Sequence, residues 1–83
     1  MTKQDNINTM YNQLTVAGLK SKTVMAIADA TGTTYDSVNN NWLHRGNPSK
    51  GKTPDKHIDT VIKIFQNAIK IQNDYINALK VNL

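Results

Sequence analysis

Apolar positions along this chain recur every three or four residues, and no stretch alternates with the two-residue rhythm of a strand. The pattern predicts an all-α fold: a small helical domain with a helix-turn-helix and a long C-terminal helix. Thr2 and Asp5 open the first helix as a capping box, with Asp in place of the usual Glu. Ile7, Met10, Tyr11 and Leu14 then form one stripe, and Gly18 stands as a C-terminal stop, so this helix is set at about 3–17. Ser21 can cap a second helix that turns Val24, Ile27 and Ala28 inward, and Gly32 ends it. Thr33 with Asp36 repeats the capping pattern ahead of a third helix, which Gly46 closes; the two helices together span about 22–45. Residues 46–53, GNPSKGKT, read as a loop. Thr53-Pro54-Asp55 supplies a capping hydroxyl, a Pro at the first helical position and an acid near the positive end of the dipole. From about 54 to 81 neither Gly nor Pro interrupts the last helix.

That last helix carries two apolar stripes. Ile58, Ile62, Phe65, Ile69, Gln72, Ile76, Leu79 and Leu83 are spaced as a heptad seam with one polar member, Gln72. Val61, Ile64, Ala68, Ile71, Tyr75 and Ala78 lie beside it. The arc is wider than one packing partner needs. One part is expected to cover the first three helices. The other, centred on Ile69, Gln72, Ile76, Leu79 and Leu83, is expected to meet further copies in a homodimer or higher homo-oligomer.

Composition narrows the possibilities. Eighty-three residues make one domain, and a chain this short buries a small core. It has no Cys, so disulfides and Cys-based zinc sites are excluded as staples. No apolar run is long enough to span a membrane, and no basic-then-apolar leader is present, so the expectation is a cytoplasmic protein, bacterial or of a phage-infected host cell. Net charge is +4, from ten Lys and Arg against six acids, all Asp. Five of those ten cations and two of those six Asp fall between residues 20 and 52. The positive excess therefore gathers around the helix-turn-helix, which is the footprint of a polyanion binder.

Catalytic chemistry finds no purchase. Gly46-Asn47-Pro48-Ser49-Lys50-Gly51-Lys52-Thr53 fits the phosphate-loop pattern G-x-x-x-x-G-K-[ST]. That loop needs a buried strand before it and a helix opening straight out of it. Here an amphipathic helix precedes it and Pro54 follows at once. His44 and His57 are thirteen residues apart, and no carboxylate sits at a ligand spacing to either. No nucleophile-base or paired-carboxylate arrangement stands out. The expectation is a non-enzyme with no cofactor and no metal.

The third helix is the informative element. At 100° per residue, Tyr35, Val38 and Trp42 share one face. Ser37, Asn40 and His44 fall opposite, with Asn41 beside them and Thr34 at the start. Amides, hydroxyls and imidazoles can donate and accept toward base edges in the major groove, and Asn pairs bidentately with adenine. Thr34, Ser37, Asn40, Asn41 and His44 are therefore the candidate base contacts. Lys20, Lys22, Arg45, Asn47, Ser49, Lys50 and Lys52 are the candidate phosphate contacts.

Ile27-Ala28, Thr31-Gly32-Thr33-Thr34, Val38, Trp42 and Arg45-Gly46 resemble the phage Cro/repressor helix-turn-helix family over residues 20–62. Ala28 and Gly32 match the family's small residue in the first helix and its turn Gly, and Val38 matches the core position of the recognition helix. Two positions depart: Thr31 stands where an aliphatic is usual, and Trp42 follows Val38 by four residues rather than three. The second departure leaves open which of Asn39, Asn40 and Asn41 faces the groove. The resemblance implies a small transcriptional regulator, a repressor that binds operator DNA as a dimer. Two other functions fit the same residues. One is a phage DNA-packaging or assembly component of the small terminase kind. The other is a helical protein-interaction module without DNA binding.

Overall fold

The computed structural model describes residues 2–47 and 50–81. Three α-helices organise it: α1 (Lys3–Gln13), α2 (Leu19–Thr31) and α3 (Ile58–Val81). A short π-helical segment, Ser37–Trp42, lies between α2 and α3, with 3-10 turns at His44–Gly46 and Asp55–His57. No strand occurs among the described residues, so the all-α expectation holds. None of the described helices is long and apolar enough to cross a membrane.

The capping box at α1 forms as expected. Thr2 Oγ1 accepts the Asp5 N–H at 3.1 Å, and the Asp5 carboxylate accepts the Thr2 N–H at 3.1 Å. The helix ends earlier than the apolar stripe implies, at Gln13 rather than near 17. Leu14 turns extended and buries its side chain, which draws the chain out of the helix. Gln72 of α3 then ties off the freed backbone. Its Oε1 accepts the N–H groups of Thr15 and Val16 at 2.7 and 3.1 Å, and its Nε2 donates to the Gln13 carbonyl at 2.8 Å.

This corrects the expectation that Gln72 sits in a seam between subunits. It is buried in its own chain, with its whole amide committed there. Gly18 is a further correction. It stands at the start of α2, not as a stop after α1, so Ser21 falls inside that helix and caps nothing. Gly32 does end α2, with its N–H on the Ala28 carbonyl.

The core lies where α1 and α2 both pack on α3. Ile7 enters it from α1 and Leu14 from just past its end, Val24, Ile27 and Ala28 from α2, and Val61, Phe65 and Ala68 from α3. Tyr11 meets Phe65 edge-on, with ring centroids 6.2 Å apart, an arrangement worth about 0.5–1.5 kcal/mol beyond its buried area. The inward line of α3 is thus Val61, Phe65, Ala68 and Gln72, drawn from both apolar stripes. Two helices share one face of α3, so the buried line runs between the stripes and not along either. Ile69 and Ile76, two of the expected intersubunit residues, are half-buried beside it. Leu79 is exposed, together with Ile71 and Tyr75, each at about 50%. Leu83 lies outside the described residues.

Gln72→Leu separates the core role of this residue from an intersubunit one. The change leaves two N–H groups and one carbonyl without their partner. Each costs about 1–3 kcal/mol when fully buried, and water reaches the exposed Gln13 and Thr15, so the expected loss is roughly 1–3 kcal/mol in total. Urea unfolding measures it, and an unchanged midpoint would place Gln72 outside the core.

Candidate nucleic-acid interface

The turn after α2 is built by hydroxyls. Thr31 Oγ1 donates to the Ile27 carbonyl at 2.7 Å and pairs with Thr33 Oγ1 at 3.1 Å. A polar residue thus fills a position where an aliphatic was the family expectation, by returning its hydroxyl to its own helix. The next helical stretch is capped by Thr34 and not by Thr33. Thr34 Oγ1 accepts the Ser37 N–H at 3.2 Å and donates to Ser37 Oγ at 3.0 Å. Thr34 and Ser37 therefore both work in the cap, with the Ser37 hydroxyl hydrogen still available outward.

From Ser37 to Trp42 the helix is widened to the π form. The Leu43 N–H reaches back five residues to the Val38 carbonyl, at 3.0 Å. Such single-turn widenings absorb an extra residue within a helix. This explains how Leu43, five residues past Val38, turns inward beside Trp42, which a regular helix already places on that face. Val38, Trp42 and Leu43 are all buried, and Leu43 is a core anchor that a 100° periodicity does not reveal. Trp42 also stacks on His57, with ring centroids 5.6 Å apart and planes 21° from parallel.

The widened turn separates the three consecutive Asn. Asn39 is half-buried, and its Oδ1 accepts the Tyr11 hydroxyl at 3.4 Å. Asn40 and Asn41 are exposed. Asn40 contacts a cation directly, whereas Asn39 and Asn41 are tied to a phenol and a backbone amide. Tyr11, the partner of Asn39, carries the Lys20 ammonium 5.0 Å from its ring centre. Asn40 Oδ1 accepts from Arg45 Nε at 3.3 Å. The Asn41 carbonyl accepts the Lys52 N–H at 3.1 Å. Burial pushes the Tyr11 phenol above its ordinary pKa and Tyr35 adds to the shift, while Arg45 opposes it. Tyr11 therefore stays a protonated donor to Asn39.

Past Leu43 the chain bends sharply. His44 and Arg45 hold left-handed backbone at φ 44° and 52°, followed by Gly46 at φ 96°. A Cβ on Gly46 would lie 2.5 Å from Asn12 Oδ1, which a shift of that side chain relieves, so it is the backbone angle that requires glycine there. The bend is clamped by amides on one side of α1. Asn8 Nδ2 donates to the Leu43 carbonyl at 2.8 Å, Gln4 Nε2 to the Trp42 carbonyl at 3.0 Å, and Asn12 Nδ2 to the Gly46 carbonyl at 3.1 Å. Gln4 Oε1 also takes the Thr53 N–H at 2.7 Å, which pins the far end of the 46–53 loop. Gly51 passes so close that a Cβ would meet the Trp42 carbonyl at 2.8 Å.

The candidate residues now have places. Asn40, His44 and Arg45 line one shallow concavity on the exposed side of this element. Lys50 and Lys52 are exposed on the adjoining loop, and the Asn47 backbone closes its turn with Lys50 and Gly51. Lys22 is not brought to this cluster; it lines the groove between α2 and α3. Pro48 and Ser49 lie outside the described residues. The phosphate-loop pattern is not built as such: helix and not strand leads into it. Thr53, expected as a helix cap, buries its hydroxyl without a hydrogen-bond partner among the described residues, and Pro54 takes the capping position. No cluster of three or more His or acidic side chains able to hold a metal occurs among the described residues.

Asn8, Gln4 and Asn12 escaped the sequence reading altogether. Their signal is polar residues repeating every fourth position along the edge of the apolar stripe of α1. A scan against protein-family models finds no match to this chain, and neither does a comparison with curated proteins or with solved structures.

The left-handed bend makes a direct prediction. A non-glycine residue in this region pays about 1–2 kcal/mol, and glycine returns about 0.5–1 kcal/mol of that through its freer unfolded chain. His44→Gly is therefore expected to stabilise the fold by roughly 0.5–1 kcal/mol, read as a higher thermal midpoint. A lowered midpoint would mean that His44 does not hold this backbone.

Proposed function

We propose that this protein binds double-stranded DNA in a sequence-specific way through residues 34–46, as a small transcriptional repressor of the Cro/repressor type and without catalytic activity. One observation carries the reading. Asn40 and Asn41 are exposed side by side on a short helix, with Arg45 on the Asn40 amide and Lys50 and Lys52 exposed on the adjoining loop. Amides toward base edges with cations at their rim are the division of labour of a DNA-reading surface. The buried trio Val38, Trp42 and Leu43 holds that surface outward.

A repressor of this kind reads two half-sites through two copies. The exposed apolar line of Ile71, Tyr75 and Leu79 on α3 supports a homodimer or higher homo-oligomer, with the seam one face away from the heptad line. It continues into an apolar groove against Leu19 and Ile64. The same line serves the packaging reading, in which copies assemble into a ring on DNA. The place of work for either is the cytoplasm of a bacterial or phage-infected cell.

Selection of bound fragments from a random duplex pool, with sedimentation of the same protein, tests the proposal. The expected result is an enriched motif with two half-sites and the mass of a dimer; a ring-sized mass favours packaging. Replacing Lys50 and Lys52 together by Ala is expected to weaken binding to every sequence alike. It is also expected to flatten the slope of log affinity against log salt by about 1–2. Absence of salt-sensitive duplex binding in the native protein contradicts the proposal and leaves the protein-interaction reading.

A further inference from the structure

We infer that Arg45 reads a guanine edge and that Asn40 is its positioning residue, which rests on the DNA-binding reading above. Asn40 is the natural candidate for an adenine contact, and the geometry reassigns it. A guanidinium Nε–H can only donate, so the hydrogen bond from Arg45 Nε fixes the Asn40 carbonyl oxygen toward the arginine. The outward part of the Asn40 amide is then its NH2 group, a donor without an acceptor. A bidentate adenine contact needs both.

Arg45 is left with the complementary equipment. The guanidinium has five N–H donors in a rigid plane, and Asn40 engages the one on Nε. The two Nη groups have no hydrogen-bond partner among the described residues and form a fork that matches the paired O6 and N7 acceptors of guanine. Orientation comes from the backbone. The left-handed angles at His44 and Arg45 turn the chain back, so Arg45 returns beside a residue five positions earlier, on the exposed side of the π-helical segment. Asn8 and Asn12 hold the carbonyls on either side of the bend, at Leu43 and Gly46. Strained backbone persists where its surroundings over-determine it, and such places cluster at functional sites. His44 lines the same concavity and adds a second polar group beside the fork.

A phosphate contact is the competing role for an exposed arginine, and the two differ in what they do to sequence. A phosphate contact strengthens binding to all duplexes. A fork against guanine is lost when that base changes, by roughly five- to 150-fold in affinity. Arg45→Lys keeps the charge and removes the planar fork.

The test uses the duplex selected by the native protein and versions of it with each guanine pair replaced singly by an adenine pair. The native chain is expected to lose roughly five- to 150-fold at one guanine per half-site. In Arg45→Lys that ratio is expected to fall at least fivefold, with the salt slope unchanged. In Asn40→Ala the same guanine stays preferred by a smaller ratio, because the fork remains and its support is gone. Both side chains are exposed, so circular dichroism should show native helix in each variant. An unchanged guanine ratio in Arg45→Lys, or a loss shared equally by all duplexes, overturns the arginine assignment and leaves DNA binding intact. So does an adenine preference that disappears in Asn40→Ala. A native protein with no duplex binding overturns both.

Discussion

The row of amides Gln4, Asn8 and Asn12 on α1 is the constraint on which the surface of this protein depends. Between them they hold the carbonyls of Trp42, Leu43 and Gly46 and the N–H of Thr53. These are the backbone groups that a helix end and a loop leave without partners. Amides on a rigid helix satisfy them in place, and in doing so decide where the chain bends. Asn8 is wholly buried, and Gln4 Nε2 donates to its Oδ1 at 2.5 Å, so these two amides form one connected network. A buried polar network of this sort gives one geometry when complete and is costly when broken.

Gln72 does the equivalent work at the other end of α1, where it closes the chain between Gln13 and Val16. The two devices explain how so small a core supports an irregular region as long as 32–57. Hydrophobic burial fixes α1, α2 and the first half of α3 against each other. Side-chain amides then position what packing cannot reach. Beyond Gln72, α3 adds no residue to the buried core, and Tyr75, Leu79 and Val81 stay exposed.

Much of this architecture was legible in the residues. The Thr2–Asp5 cap, the Gly32 stop, the inward Ile27 and Ala28 and the long last helix follow from local rules of capping and periodicity, and they form as expected. The misplaced features are those that depend on distant partners. Gln72 reads as a polar member of a heptad because sequence spacing shows which face a residue occupies and not what meets it. Leu43 is hidden in the sequence because at 100° per residue a position five past Val38 points away from it, and the π-turn brings it back. The open choice among Asn39, Asn40 and Asn41 has the same origin. The widened turn sends Asn39 back toward Tyr11 and leaves Asn40 and Asn41 outward. Lys22 was grouped with Lys20 from proximity in sequence, whereas two residues along a helix are about 200° apart, and α3 is its neighbour.

The central claim is that the clamped element, residues 34–46, is a DNA-reading surface. Amide chemical-shift mapping of the labelled protein with a short duplex tests it most directly. The account predicts shifts concentrated in residues 34–46 and in the loop at Lys50 to Lys52, which fade as salt is raised. Shifts confined to the exposed arc of α3 around Ile71 and Tyr75, or no shifts at any salt, would contradict it.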